Sequence, residues 1–158
     1  MIGEKVSYRK LMTLENDGHY QGYLINGSRI TDYFGDISAE LMVRATGNGS
    51  MLRAYKEINF LAPVWVGDLM EYTGWIEKKG KTSYELHFEA YKLMTVTDDY
   101  KIKNQFNHGS DHPDLKGYEG RLWLEPPILC GNAVGIFVVP EKDNLGPMDP
   151  KFAVSEEK

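Results

Sequence analysis

The chain has 158 residues, a formal net charge of −5 and a single cysteine. This length predicts one domain, the negative charge argues against nucleic acid as a partner, and one cysteine cannot form an intramolecular disulfide. No apolar run approaches the roughly 18 residues that cross a bilayer and the first residues lack a signal-peptide core, so we expect no membrane association and a cytoplasmic location.

The first predicted elements are a strand at residues 4–14 and a turn at 15–18. The only long helical pattern follows at 26–44, where apolar side chains recur every three or four positions. These side chains are Ile30, Tyr33, Phe34, Ile37, Leu41 and Met42. Asn26 and Ser28 are both candidate N-caps, because a short polar side chain can accept hydrogen bonds from the first helical turn.

Glycines mark the end and the middle of this helix. The run Gly47-Asn48-Gly49 tolerates a left-handed backbone and is predicted to end the helix. Gly35 lies inside the pattern, where glycine costs about 1 kcal/mol relative to alanine. A glycine in such a position often allows another backbone to approach closely, and we expect that here.

Two carboxylates, Asp36 and Glu40, lie four residues apart on one face of the predicted helix. Their Cβ atoms would be about 5–6 Å apart, and like charges at that spacing repel each other, most strongly when they are buried. In a site that excludes water the two titrations couple and one pKa rises, which suits a general base near neutral pH. The alternative is a solvated helix face, or ion pairs with Arg29, Arg44 or a neighbouring subunit.

The rest of the chain is predicted to be mainly strand. The predicted strands are 51–60, 69–77, 82–97, 121–124 and 128–139. The third alternates apolar and polar residues, which indicates burial on one face, and the last is apolar on both sides, which indicates an interior strand. Pro126-Pro127 is expected to interrupt the sheet. Residues 98–120 are predicted to be a polar insertion loop within a domain of residues 1–140, and residues 141–158 a polar tail.

One helix followed by successive strands favours an α+β fold in which an antiparallel sheet wraps around the helix. Such a sheet leaves two edges and one face uncovered, and a second copy of the chain commonly covers them. We therefore expect a homo-oligomer.

Five short motifs occur in order along residues 4–140. They are His19-Tyr20-x-Gly22-x-Leu24, Asn26-Gly27-x-Arg29-Ile30, Gly35-Asp36-x3-Glu40-x-Met42-Val43, Gly67-Asp68-x-Met70-Glu71-Tyr72-x-Gly74-Trp75-Ile76-Glu77-Lys78 and Glu125-Pro126-Pro127-x-Leu129-Cys130-Gly131. Together they resemble the CoA ammonia-lyases of the hotdog fold. Within that family the chain is most similar to the 3-aminobutyryl-CoA ammonia-lyases of lysine fermentation, and it also resembles the β-alanyl-CoA ammonia-lyases.

This resemblance implies the hotdog fold and the reversible elimination of ammonia from a short β-aminoacyl-CoA, here 3-aminobutyryl-CoA to crotonyl-CoA. The partners are then the CoA thioester and ammonia, and no cofactor is required. The resemblance also implies a homo-oligomer built from dimers, a hexamer. Active sites of this fold usually lie between two helices, so that one site can combine residues of two chains.

Ordinary thioesterases of this fold often carry two glycines before the helix and an acid about seven residues later. This chain has Asn26-Gly27 before the helix, Phe34 at the position of the acid, and Asp36 two residues further on. His19 takes the place of the usual loop asparagine. These departures argue against a thioesterase. Thioesterase and enoyl-CoA hydratase nevertheless remain alternative functions, and a non-catalytic acyl-CoA-binding subunit is a third.

Ammonia elimination requires a base for the α-proton, N–H donors for the enolate oxygen and a carboxylate for the ammonium. Asp36 and Glu40 are the candidates for base and ammonium partner, in either order. His19 is a candidate general acid, with a hydrogen bond within its loop as the alternative. The helix N-terminus offers N–H donors and a partial positive charge. The candidate substrate-binding residues are Tyr20, Asn26, Gly27 and Arg29.

Two further features are assigned no chemistry. Cys130 lies in a glycine-flanked apolar strand and is expected to be buried and inert. His108 and His112 occur in the polar insertion at a spacing that fits no zinc pattern, so no metal site is expected.

Overall fold

The computed structural model describes residues 3–17, 24–96 and 121–156. The candidate site residues His19 and Tyr20, together with the predicted insertion at 98–120, lie outside the described residues. The elements in chain order are β1 (Val6–Leu11), α1 (Leu14–Asp17), α2 (Gly27–Thr46), β2 (Met51–Phe60), β3 (Leu69–Lys79), β4 (Ser83–Val96), β5 (Arg121–Val138) and two short 3-10 helices, Glu141–Asp143 and Pro150–Phe152.

The predicted long helix is α2, and its apolar stripe faces the sheet. All six side chains of the predicted stripe are buried. Gly47 ends the helix in a left-handed conformation, with φ of 73°, and its N–H donates to the carbonyl oxygen of Val43. The predicted core face and the glycine stop are therefore both confirmed.

Two details of the helix differ from the prediction. Asn26 occupies the N-cap position, but its side chain forms no capping hydrogen bond. A Cβ on Gly35 would meet nothing within 4 Å, so no backbone of the described residues approaches this glycine. The expected close approach is thus wrong for the single chain.

A single antiparallel sheet has the strand order β1-β3-β4-β5-β2, which leaves β1 and β2 at its edges. Side chains of β4 alternate between buried and partly exposed positions, as the period of two predicted. The expected interruption at Pro126-Pro127 is wrong, because β5 continues through the prolines. They lie instead where the pairing with β4 shifts, between the Lys92–Ile128 and Met94–Trp123 pairs.

The core lies between α2 and the inner face of the sheet. The rings of Phe34 and Phe88 stack with centroids 5.1 Å apart, and those of Tyr33 and Tyr72 stack at 4.7 Å. The carboxy-terminal segment adds Phe152, which is buried against this core. The observed arrangement is the predicted α+β architecture. Within the described ranges, no helix has the length and apolar character needed to cross a bilayer.

Candidate active site

A cavity of about 510 Å³ opens at the amino-terminal end of α2. It is lined by the start of the helix and by the segment that follows β2, namely Ile25, Gly27, Ser28, Ile30, Phe60, Leu61, Ala62, Pro63 and Val64. A Cβ on Gly27 would lie only 2.8 Å from the ring of Phe60, so this position requires glycine while the ring stays in place. The backbone N–H groups of Gly27 and Ser28 at the start of the helix thus border a largely apolar cavity, whereas the N–H of Arg29 donates to the carbonyl oxygen of Asn26.

A second cavity, of about 340 Å³, lies between α2 and the edge strand β1. Its lining residues are Val6, Ser7, Tyr8, Asp36, Ile37 and Glu40. The two carboxylates predicted to act together therefore share one cavity, which they border with Tyr8. Both acids are exposed in the single chain, and Oε1 of Glu40 lies 3.7 Å from Nη2 of Arg44.

The two cavities lie at different points along the same helix. With a rise of about 1.5 Å per residue, Asp36 is about 13 Å further along the axis than Gly27, and Glu40 about 20 Å. The single chain therefore does not bring the predicted enolate donors and the predicted acids together. Hydrogen bonding to one thioester carbonyl and proton removal at the adjacent carbon require groups only a few ångströms apart.

The two remaining described candidates, Arg29 and Asn26, lie near the first cavity. The guanidinium of Arg29 contacts two carboxylates, with Nε 3.3 Å from Oδ1 of Asp17 and Nη1 3.1 Å from Oδ2 of Asp32. It also lies over the ring of Tyr33. The side-chain oxygen of Asn26 is buried and has no hydrogen-bond partner among the described residues.

Asp17 is a buried carboxylate at the end of α1, in the segment that was predicted to be a turn. Its side chain is fully buried, receives hydrogen bonds from Tyr33 Oη and from the backbone N–H of Thr13, and lies 3.0 Å from Nζ of Lys10. Burial alone would raise the pKa of Asp17, but the hydrogen bonds from Tyr33, Thr13 and Lys10 outweigh burial and lower it. Burial, and then the bond to Asp17, raise the pKa of Tyr33. This cluster fixes α1 against the first turns of α2.

The remaining sequence predictions divide into two groups. Cys130 is fully buried, as predicted, and burial raises the pKa of its thiol to about 11, which disfavours the reactive thiolate; its inertness stays a prediction. His19, Tyr20, His108 and His112 lie outside the described residues, and their roles stay predictions. In the described part of the chain, no group of three or more His, Cys, Asp and Glu side chains is arranged to hold a metal ion.

Comparison with known proteins gives a consistent result, although no protein-family model matches the chain. The chain is 37% identical over 135 residues to the 3-aminobutyryl-CoA ammonia lyase of Acetoanaerobium sticklandii. The aligned region covers 85% of this chain and 94% of that protein. The structure of the β-alanyl-CoA:ammonia lyase from Clostridium propionicum matches with a TM-score of 0.82 and 39% identity over 96% of both chains. A hexameric broad-specificity acyl-coenzyme A thioesterase matches with a TM-score of 0.61 and 20% identity, over 92% of this chain and 87% of that chain.

The thioesterase similarity, at low sequence identity, shows the fold alone, and that fold is the predicted hotdog fold. The two lyases match in sequence as well, over nearly their whole length. The resemblance stated from the short motifs is therefore confirmed. The chain belongs to the family of hotdog-fold CoA ammonia lyases, which are carbon–nitrogen lyases that act on CoA thioesters.

Proposed function

We propose that the protein reversibly eliminates ammonia from a short β-aminoacyl-CoA, with 3-aminobutyryl-CoA converted to crotonyl-CoA as the preferred reaction. The observation that carries this proposal is that Asp36 and Glu40 open into the same cavity. One carboxylate takes the proton from the carbon α to the thioester, while the other holds the substrate ammonium. The electron pair of the broken C–H bond forms the double bond, and the amine leaves as neutral ammonia.

The negative charge that develops on the thioester oxygen needs donors that are already in place. The start of α2 at Gly27 supplies backbone N–H groups and the positive end of the helix dipole. Apart from Gly27 and Ser28 the residues that line this cavity are apolar, so water would screen this interaction less once a substrate or a second chain covers the opening. The acyl group would therefore bind with its carbonyl oxygen at the helix N-terminus.

This arrangement works only when two chains contribute to one site, because one helix separates its N-terminus from Asp36 and Glu40 by about 13–20 Å. The edge strand β2 offers a surface for a second copy. It has unpaired backbone groups on its outer side, and its exposed apolar side chains include Met51, Leu52, Ile58 and Phe60. We propose a dimer in which the carboxylates of one chain face the helix N-terminus of the other.

We further propose that these dimers assemble into a hexamer, as the resemblance implies. The name of the thioesterase that shares the fold describes a hexamer. We also propose a cytoplasmic location and a role in lysine fermentation, as the resemblance implies, and the name of the relative from Acetoanaerobium sticklandii supports the substrate 3-aminobutyryl-CoA.

The remaining candidate residues receive supporting roles in this scheme. Asn26 is proposed as a substrate contact, but its buried side-chain oxygen would have to become uncovered before it could accept a hydrogen bond from substrate. Arg29 would bind a CoA phosphate only by giving up one of its carboxylate partners. His19 and Tyr20 are proposed as general acid and substrate contact. The scheme uses the thioester and protein groups alone, without a metal or cofactor.

A direct assay distinguishes this proposal from the two alternatives on the same fold. The protein is mixed with crotonyl-CoA and ammonium, the enoyl-thioester absorbance is followed, and free thiol is measured in parallel. We expect absorbance to fall only when ammonium is present, without release of thiol. Thiol release would identify a thioesterase instead, and absorbance loss without ammonium or thiol would identify a hydratase.

A further inference from the structure

The segment between β2 and β3 forms one wall of the cavity at the start of α2. Leu61, Ala62, Pro63 and Val64 all line this cavity. The segment has no regular secondary structure of its own, so contacts with neighbouring elements must determine its position.

A buried lysine contacts the backbone of this wall. Lys92 lies on β4, and its side chain is only 6% exposed. Its Nζ donates to the carbonyl oxygen of Pro63 at 2.6 Å and lies 3.0 Å from Oδ2 of Asp68. Lysine is almost never buried in this way unless it is paired. The buried ion pair with Asp68 therefore keeps a charged hydrogen-bond donor next to the Pro63 carbonyl.

Asp68 completes the contact from the other end of the segment. Its side chain is fully buried, and its Oδ2 accepts a hydrogen bond of 2.8 Å from the backbone N–H of Trp65. Its Oδ1 accepts a bond of 2.6 Å from the hydroxyl of Thr95. The ion pair thus contacts the backbone of the wall at two places, Pro63 and Trp65.

The residue between these two places connects the wall to the helix. Val64 is buried, and its carbonyl oxygen accepts a hydrogen bond of 2.8 Å from the N–H of Ile25. Ile25 immediately precedes the N-cap residue Asn26. A shift of the wall would therefore be transmitted to the first turn of α2, where the proposed enolate donors lie.

We propose that Lys92 and Asp68 are positioning residues, which hold the wall of the cavity in register with the N-terminus of α2 and thereby place the thioester carbonyl. The identity of the bound group rests on the proposed function, whereas the placement of the wall does not. Apolar pairs often replace buried ion pairs at no cost in stability. An apolar pair here would lose the hydrogen bonds to Pro63 and Trp65.

The test compares Lys92→Met with the double variant Lys92→Met/Asp68→Leu. The single variant leaves a buried carboxylate without its cation and is expected to lower the Tm. The double variant removes both charges and is expected to recover most of the Tm. If the pair positions the wall, both variants lose kcat by about 10²-fold, the scale of a 1 Å misplacement of the reacting group. Recovered stability without recovered kcat is the signature of positioning.

Two control variants separate positioning from general effects. Phe137→Leu alters the core near the carboxy-terminal end of β5, where Phe137 pairs with Leu52 and Tyr84. This variant should lower the Tm with little change in kcat. Thr95→Val removes a bond to the side chain of Asp68 but leaves the hydrogen bonds to the backbone of Pro63 and Trp65 in place, and should also retain kcat. A double variant with wild-type kcat and KM would overturn the proposal.

Hydrogen exchange provides a readout that does not depend on the reaction. In Lys92→Met and in Lys92→Met/Asp68→Leu the amide of Ile25 should exchange at least tenfold faster than in wild type. Amides near Phe137 in β5 should keep their protection. Unchanged exchange at Ile25 would overturn the positioning role, whatever the protein catalyses. Faster exchange at Ile25, in a protein that does not add ammonia to crotonyl-CoA, would support the positioning role and refute the proposed reaction.

Discussion

In the proposed reaction one of Asp36 and Glu40 is the base for the α-proton and the other binds the ammonium. Their amide variants should therefore change different kinetic constants. Loss of the base should lower kcat by about 10²–10⁴-fold at saturating ammonium, because general base catalysis contributes on that scale. Loss of the ammonium partner should mainly raise the KM for ammonium. Steady-state kinetics of Asp36→Asn and Glu40→Gln with crotonyl-CoA therefore assign the roles that the structure leaves interchangeable.

Glu141→Gln is a suitable control for these two variants, because Glu141 is an exposed acid in the short 3-10 helix of the carboxy-terminal segment, outside both cavities. It should retain wild-type kinetics. Full activity of both Asp36→Asn and Glu40→Gln would contradict the assignment of the acids to the reaction.

Asp17 should make the stability of the protein dependent on pH in the acid range. Its pKa is lowered below the ordinary value of 3.8 in the folded protein. Its contribution is therefore fully present above about pH 4 and is lost as the pH falls through the lower folded pKa. Asp17→Asn removes the charge that pairs with Lys10 and Arg29, whose side chains are partly exposed, and should lower the free energy of unfolding by about 1–3 kcal/mol at pH 7.

Urea unfolding of wild type and Asp17→Asn between pH 7 and pH 3 checks this prediction. The difference between the two proteins should begin to shrink near pH 4, where Asp17 of the unfolded chain becomes protonated, and should shrink further as the pH falls through the lower folded pKa. A difference that stays constant across the range would contradict the role of the Asp17 charge. Tyr33→Phe is a useful companion, since it removes one hydrogen bond and leaves the cations in place.

At the scale of single residues, the spacing along the chain predicted which side chains lie on one helix face, but not which residues from other elements contact them. The spacing of Asp36 and Glu40 placed both on one face, and the structure has them in one cavity. The partners of Asp17 were missed, although Arg29 and Tyr33 lie at a helical spacing of four and both contact it. Spacing shows that two side chains share a face, but the acid that meets them comes from a separate helix, α1, which tertiary packing positions.

At the scale of elements, periodicity identified α2 and the alternation of β4, since both patterns follow directly from burial on one side. The prolines of β5 misled the prediction, because proline removes a backbone donor and usually ends a strand. In this strand the pairing register shifts around Pro126-Pro127, so the prolines fall where few ladder bonds are needed.

Gly35 is an element-scale test of the dimer. The position is exposed and open in the single chain, so Gly35→Ala should stabilise α2 by about 1 kcal/mol if nothing else packs there. A partner that packs closely on this glycine would instead make the added methyl group weaken self-association. We expect weaker association, measured by sedimentation at increasing dilution. A higher Tm with unchanged association would contradict close packing at Gly35.

At the scale of the whole molecule, the two cavities on one helix predict that each site needs two chains. Asp36→Asn/Glu40→Gln removes the acids, and Gly27→Val obstructs the helix N-terminus next to Phe60. Each variant alone should be inactive. Co-expression yields mixed dimers in which one site is intact and the other carries both defects, so about a quarter of wild-type activity should return. No recovery in verified mixed dimers would place the whole site in one chain.

The reaction itself is tested most directly with labelled ammonium. The protein is incubated with crotonyl-CoA and ¹⁵N-ammonium, and the CoA products are analysed by mass spectrometry and NMR. The proposed reaction yields 3-aminobutyryl-CoA with ¹⁵N bonded to the β-carbon and the thioester intact. A hydroxylated thioester, or free CoA without a labelled thioester, would contradict it.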